Sequence, residues 1–394
     1  MSMATVGSKT SDLNAAKAAK KDEFYTQWPD IEREMNAYLE FDPNVFRDKV
    51  ILLPCDDPEW SNFAKFFALH FVDYGLKKLI STSYAPDSNP AVISYQPTLL
   101  EANDPRFDEI KTHTNGKKFV LEPKDINGDG VVNIDDLHWE YLEGDGDFRS
   151  AEVTSLRDEA DIVITNPPFS LFREFMSWLN VGGVKFSVIG NMNAITYNQV
   201  FALVQSNNLW YGSSINSGDR EFGIPDDYPM TAVGTRVDEN GKKYVRIKGV
   251  RWFTNIDHGR RHEPLQLMTM ADNLRFSKHA DVRGSGYQKY DTFDAIEVPY
   301  TDAIPSDYDG MMGVPITFLD KYNPDQFEIL FNAEDMEKTQ EFGVEPLGQK
   351  RVDDYYAAGG TASNSKGRRK LFLYHPKPHV PFKRLIIRRK GGAL

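Results

Sequence analysis

At 394 residues, 40% apolar and 26% charged, the chain is long enough for one large domain and a smaller one, with the composition of an ordinary globular protein. Its most apolar stretch, 63–72, is broken by Lys65 and His70, and the polar start Ser8-Lys9-Thr10-Ser11-Asp12 lacks a signal's apolar run, so no membrane span or secretory leader is expected. The net charge of −12 argues against a uniformly basic nucleic-acid binder, and the single Cys55 excludes an internal disulfide and fits a cytoplasmic protein.

Residues 11–20 are Ala/Lys-rich and read as a short helix or loose arm, and 31–39 read as a helix. A short apolar run at 50–53 predicts a buried strand. Phe63, Phe66, Phe67, His70 and Phe71 then fall at helical spacing within 61–74. Leu79 and Ile80 open a second strand and 162–165 form a third, followed by a helix at 171–179, a strand at 186–189 and a helix at 198–204. This alternation predicts an α/β fold, a parallel sheet with helices on both faces, and ligands outside the carboxyl ends of the strands. Beyond about residue 214 the chain becomes rich in Gly, Asp and Pro, which predicts a second region over 214–394 after a first domain over 1–213. Residues 358–366 read as a flexible loop.

Charge is distributed unevenly. The segment 355–394 holds ten Lys or Arg and no acid, and 241–262 holds seven Lys or Arg against Asp257 alone. Such stretches predict a basic face for phosphates; the alternative is a solvated tail. Arg251, Trp252, Phe253, Arg260, Arg261 and His262 interleave aromatics and bases as a base-reading or wedge-inserting element does, or as a core strand does. His258 and His262 lack a further ligand cluster, so zinc is not expected.

The strand at 162–165 ends in Asn166-Pro167-Pro168-Phe169. Two prolines cannot continue a central strand, so the Asn side chain is held at its end, in the ligand crevice. An exocyclic amine such as adenine N6 is a poor nucleophile because its lone pair is delocalised. Acceptors on its two hydrogens, the Asn166 side-chain oxygen and the Pro167 carbonyl, favour a pyramidal nitrogen without a strong base. Phe169 is placed to stack on the base. The plainer reading is a strand-ending turn with a core Phe.

Asn-Pro-Pro-Phe is similar to the catalytic motif of amino-methyltransferases, and other segments resemble the EcoRI-type adenine-specific DNA methyltransferases. They are Lys21-Asp22-Glu23-Phe24-Tyr25-Thr26, Cys55-Asp56-Asp57-Pro58 with Ser61-Asn62-Phe63, Gly144-Asp145-Gly146-Asp147-Phe148-Arg149-Ser150, Ile189-Gly190-Asn191 with Asn193-Ala194-Ile195-Thr196, and Gly313-Val314-Pro315-Ile316-Thr317-Phe318-Leu319. The resemblance implies a Rossmann-like S-adenosylmethionine-dependent methyltransferase sheet, a C-terminal target-recognition region and double-stranded DNA as partner; of the oligomeric states a monomer is favoured. It implies that Tyr25 and Thr26 touch the methionine end of S-adenosyl-L-methionine, and that Asp56 and Asp57 make cofactor contacts. It further implies that Asp147 accepts from the cofactor's adenine and Phe148 packs on it. The usual Gly-rich first loop is missing here, and Asp56, Asp57 and Asp147 also suit helix caps. A methyltransferase for protein or RNA, and an inactive DNA-binding relative, are the competing readings; a methyl-transfer assay on duplex DNA separates them.

Residues 125–136 match a calcium loop, within an insertion spanning about 85–142. Asp125, Asn127, Asp129, Asn133 and Asp136 hold the side-chain ligand positions, Val131 offers a carbonyl and Gly130 makes the turn. Asp instead of Glu at the twelfth position is similar to dockerin-type loops. A strand is expected before the loop and a helix after it, through Leu137, His138, Trp139 and Tyr141, with one structural Ca2+ in a role apart from the chemistry. Without the metal, the stretch is an Asn/Asp/Gly turn.

Overall fold

The computed structural model describes residues 24–58, 61–88, 104–215, 218–224, 230, 234–361 and 366–391. The expected arm at 11–20, Lys21, Asp22 and Glu23, residues 89–103 of the insertion, and 362–365 of the expected flexible loop lie outside these. In chain order come β1 (Tyr25–Thr26), α1 (Trp28–Phe41), β2 (Val50–Leu53), α2 (Asn62–Leu69), β3 (Lys78–Thr82), α3 (Lys111–Thr114), β4 (Lys117–Leu121) and β5 (His138–Tyr141). Next are α4 (Ala151–Glu159), β6 (Ile162–Thr165), α5 (Phe172–Gly182), β7 (Lys185–Asn191), α6 (Asn198–Gln205), β8 (Trp210–Tyr211), β9 (Asp219–Gly223), β10 (Thr235–Val237), β11 (Lys243–Lys248) and β12 (Val250–Thr254).

Local chemistry sets several of these boundaries. Ser61 caps α2 by accepting from Phe63 N at 3.0 Å, and Ser150 caps α4 by accepting from Val153 N at 3.2 Å. α5 stops at Gly183, whose φ of 62° is left-handed and free of strain only for glycine. α2 ends at Leu69, short of the expected 74, because the chain turns through 70–75 and closes at Gly75 with φ 64°.

The main sheet has the order β5-β4-β3-β2-β6-β7-β12-β8. β3, β2, β6 and β7 are mutually parallel, as the alternation of elements predicts. The sheet is nonetheless mixed, because β4 joins β3, β5 joins β4 and β12 joins β7 antiparallel. Neighbouring residues of β12 show the helices on both faces: Trp252 meets Phe63 of α2 at 5.9 Å, and Phe253 meets Phe172 of α5 at 5.0 Å. A strand's period of two sends adjacent side chains to opposite faces, so each face has its own aromatic seam. A smaller antiparallel sheet, β1-β9-β11-β10, belongs to the same unit.

Contacts divide the chain into Met1–Ala194 with Tyr211–His258, and Ile195–Trp210 with Gly259–Leu394. The expected boundary at 213/214 therefore differs from the observed one. β9 to β12 return to the first unit because β12 pairs with β7 over Val250–Thr254. The second unit contains α6, then α7 (Met270–Phe276), β13 (Ile296–Glu297), β14 (Met312–Pro315), β15 (Phe327–Asn332), α8 (Met336–Glu341), α9 (Gln349–Ala357) and β16 (Arg384–Arg389). Its sheet has the order β13-β14-β16-β15, with the apolar residues Leu385, Ile386 and Ile387 of β16 fully buried. No helix among the described residues is long and apolar enough to cross a membrane.

Candidate active site

Asn166 leaves the carboxyl end of β6, between the ends of β2 and β7. Its Nδ2 donates to the Phe24 carbonyl at 2.6 Å, which fixes the orientation of the amide. Its Oδ1 is buried and has no hydrogen-bond partner among the described residues. An unpaired buried acceptor costs about 1–3 kcal/mol, and at a strand end this one is able to accept from a ligand. Thr26, 4% exposed, has a second such atom, Oγ1. The Thr26 backbone is anchored by Asn62 Nδ2, which donates to its carbonyl at 2.7 Å. Pro167 is buried, and the Pro168 carbonyl is spent on Leu171 N at 2.9 Å. Phe169 is half-buried, with Phe24 edge-on at 5.5 Å and Phe222 of β9 at 6.5 Å.

The end of β2 is built differently from a glycine loop. Cys55 takes a left-handed φ of 66°, and its N–H donates to Thr82 Oγ1 at 3.2 Å. A non-glycine residue held there carries strain, and here it makes the sharp turn that a glycine would make. Asp56, 7% exposed, has both carboxylate oxygens occupied: Ser61 Oγ lies 2.6 Å from Oδ1, and Thr165 Oγ1 lies 2.6 Å from Oδ2 and 2.9 Å from the Pro54 carbonyl. Ser81 Oγ donates to the Asp56 carbonyl. Charge-assisted hydrogen bonds thus tie the Asp56 side chain into the framework at the end of β2. Asp57 remains half-exposed at the crevice, its carbonyl accepting from Ser61 N at 2.7 Å. Tyr25, half-exposed, pairs with Gly223 across β1 and β9.

The segment around Asp147 lies at the end of β3. Ala85 N donates to the Asp145 carbonyl at 2.7 Å, and Gly146 fits against Ser83 so closely that a Cβ there would lie 2.2 Å from the Ser83 oxygen. Burial, reinforced by Asp145, pushes the Tyr84 hydroxyl up to about 12, so it stays protonated and able to donate. The Arg149 guanidinium holds the Asp147 carboxyl below the usual carboxylate range, through contacts to Oδ1 at 2.9 Å and Oδ2 at 2.5 Å. Phe148 does not offer an open face to an adenine. It is 2% exposed and packs on Phe175 at 4.9 Å and Trp178 at 5.6 Å, which corrects its expected stacking role.

The family model described as "Adenine-specific methyltransferase EcoRI" matches residues 12–390. The chain belongs to the EcoRI-type adenine-specific methyltransferases. It is 41% identical to the Type II methyltransferase M.EcoRI of Escherichia coli over 81% of this chain and 88% of that protein. It is 36% identical to the Type II methyltransferase M.MpnI of Mycoplasma pneumoniae over 81% of this chain and 84% of that one. No solved structure matches it. Family membership makes this methyltransferase S-adenosylmethionine-dependent. The two unpaired oxygens, on Asn166 and Thr26, suit such a polar ligand.

Other expectations for this methyltransferase are corrected. In the 125–136 loop, Asp125 accepts from Gly128 N at 2.5 Å and Gly130 N at 2.8 Å, and Asp136 accepts from Ile126 N at 2.7 Å and Asn133 N at 3.1 Å. Asn127, Asp129 and Asn133 accept from Asp129, Val131 and Asp135 amides respectively. The side-chain oxygens thus order the loop's own backbone, and Val131 is 57% exposed. Among the described residues no group of three or more His, Cys, Asp or Glu is placed to hold a metal ion, and the calcium expectation finds no support. The expected helix after the loop is β5, where exposed His138 and Glu140 alternate with half-buried Trp139 and Tyr141. A chelator is expected to leave the melting temperature unchanged; a rise on adding calcium would restore the metal reading.

Arg251, Trp252 and Phe253 are 3%, 0% and 0% exposed and Arg261 is 7%, so these four are core and not a DNA wedge, whereas Arg260 is half-buried and His262 exposed. Arg261 covers the Trp210 ring at 3.6 Å. In the basic C-terminal segment, Arg384 pairs with buried Glu297 at 2.5 Å, Arg388 with Glu328 at 2.8 Å, and Arg389 reaches the Ser306 carbonyl. That charge is largely used within β16 and its neighbours, whereas Lys366, Lys377 and Lys390 are exposed.

Proposed function

We propose that this enzyme transfers a methyl group from S-adenosylmethionine to the exocyclic N6 amine of a specific adenine in duplex DNA, within a restriction-modification, phage or orphan system. The observation that carries the reading is the oriented Asn166 amide, its nitrogen tied to Phe24 and its buried oxygen unpaired. That oxygen accepts one hydrogen of the amine and the Pro167 carbonyl the other, which localises the nitrogen lone pair. The cofactor supplies an electrophilic methyl group when bound. Phe169, braced by Phe24 and Phe222, stacks on the base. The adenine must leave the helical stack to reach these atoms. Tyr25, Thr26, Asp57 and Asp147 hold the cofactor, with Arg149 turning away when Asp147 accepts from the adenine amine.

Duplex DNA as substrate is supported by the names of the relatives, both Type II methyltransferases. The decisive experiment is transfer of labelled methyl from S-adenosylmethionine to duplex DNA, with the product read as N6-methyladenine; labelling of protein or RNA in its place overturns the proposal. The second unit is proposed as the target-recognition region, with exposed Lys366, Lys377 and Lys390 on phosphates. Replacing these three by Ala is expected to weaken binding to all DNA sequences alike and to reduce the salt slope by about three. An unchanged slope would place the phosphate contacts elsewhere.

A further inference from the structure

We infer that Asp56 is a positioning residue: through Thr165 it holds Asn166 at a fixed separation from the end of β2. This rests on the proposed role of Asn166. The backbone ladder between β2 and β6 is short. It pairs Ile51 with Ile162 and Leu52 with Val163 and goes no further, while β2 stays paired to β3 as far as Leu53–Ser81 and β6 to β7 as far as Thr165–Val188. The sheet therefore opens between β2 and β6, and it opens immediately below Asn166.

Side chains close the gap that backbone bonds leave. Thr165, fully buried, sets its hydroxyl 2.6 Å from Asp56 Oδ2 and 2.9 Å from the Pro54 carbonyl. Its single hydroxyl hydrogen serves one of these at a time, and both belong to the end of β2. Asp56 is itself held on the other side, by Ser61 Oγ at 2.6 Å on Oδ1 and by Ser81 Oγ on its carbonyl. Thr165 is the residue before Asn166, so a change in this bridge passes to the catalytic amide through one peptide unit. The two prolines that follow stiffen that connection. The arm at Phe24 fixes how the amide is turned; the Asp56–Thr165 bridge fixes where it stands.

The test replaces Thr165 by Val, which keeps the shape and removes the hydroxyl, and by Ser, which restores it. Thr165→Val is expected to lower the single-turnover methylation rate by about tenfold to a hundredfold, the cost of a displacement of about 1 Å at a reacting group. Calorimetric affinity for S-adenosylmethionine should stay within about threefold, since the bridge holds a strand end and not the ligand. Hydrogen exchange at the amides of Asn166, Phe169 and Ser170 should rise several-fold in Thr165→Val and stay near wild type in Thr165→Ser. Asp335→Ala serves as the stability control, because it removes the cap of α8, where Asp335 accepts from Glu337 N and Lys338 N, and leaves Asp56 and Thr165 untouched. Rate loss in Thr165→Val no greater than in Asp335→Ala at equal melting temperature overturns the proposal. So does a Thr165→Ser enzyme as slow as Thr165→Val. Asn166→Ala, assayed alongside, reports on the underlying reading. Retained activity there overturns both, whereas its loss beside an unimpaired Thr165→Val overturns the positioning role alone.

Discussion

Asn166→Ala is expected to lower the rate of methyl transfer on the order of a hundredfold to a thousandfold, with S-adenosylmethionine binding preserved. The Asn166 amide makes one internal hydrogen bond, through Nδ2 to the Phe24 carbonyl at 2.6 Å, and leaves Oδ1 buried and unpaired among the described residues. Truncation removes the acceptor that the amine needs, and it releases the cost of keeping that acceptor unsatisfied. Stability should therefore change little or rise slightly, because a site built for a transition state pays for it in the resting protein. Single-turnover kinetics and calorimetry separate the two effects: a lower rate at constant affinity is the signature of an interaction made only in the transition state. A turnover within about threefold of wild type would falsify the catalytic assignment, since the loss of one such acceptor is worth about 2.7–4 kcal/mol.

The second large effect is expected at Gly146. A Cβ there would stand 2.2 Å from the Ser83 oxygen, and a Cβ on facing Gly116 would stand 2.6 Å from that same oxygen. The obstacle is backbone on both sides, so no rotamer relieves it. The φ of 84° adds the left-handed penalty of about 1–2 kcal/mol for a residue with a side chain. Gly146→Ala must push its loop off the end of β3, breaking the 2.7 Å bond from Ala85 N to the Asp145 carbonyl and carrying Asp147 with it. The expected result is a destabilisation of about 2–4 kcal/mol, and an affinity for S-adenosylmethionine lower by at least about tenfold. Gly144→Ala, where a Cβ meets nothing within 4 Å, is the matched control and should bind the cofactor normally. Equal affinities in the two variants would show that the loop has no part in the cofactor site.

Much of the first unit was legible along the chain because its signals are local. The apolar runs at 50–53 and 162–165 are buried strands, and Asn-Pro-Pro ends a strand because proline cannot continue one. Other features need the fold. Arg251, Trp252 and Phe253 read equally well as a DNA contact or a core strand, and pairing with β7 puts them inside, while Arg261 is buried apart from that strand, over the Trp210 ring. The 125–136 spacing matches a metal loop, yet the same Asp and Asn oxygens can cap amides, and distances decided which. The calcium-loop pattern predicts a helix through His138, Trp139 and Tyr141; pairing with β4 makes them a strand.

By itself, the sequence determined the strand–helix alternation, the family and the place of the Asn166 to Phe169 motif at a strand end, because each is written in neighbouring residues or in motifs kept in order. Only the tertiary structure decided the contacts of Asp56, Thr165, Phe24 and Phe222. Asp56 is 109 residues from the Thr165 hydroxyl that engages it, and Asn166 is 142 residues from the carbonyl that orients it. Likewise, the arginines of β16 read as free charge along the chain until pairing placed Glu328 opposite Arg388, and the fold brought Glu297 to Arg384. Periodicity and composition report on a residue's near neighbours. Whether a buried acid grips a ligand or another strand depends on which hydroxyls the fold brings within 3 Å, and that is set by strand order and register.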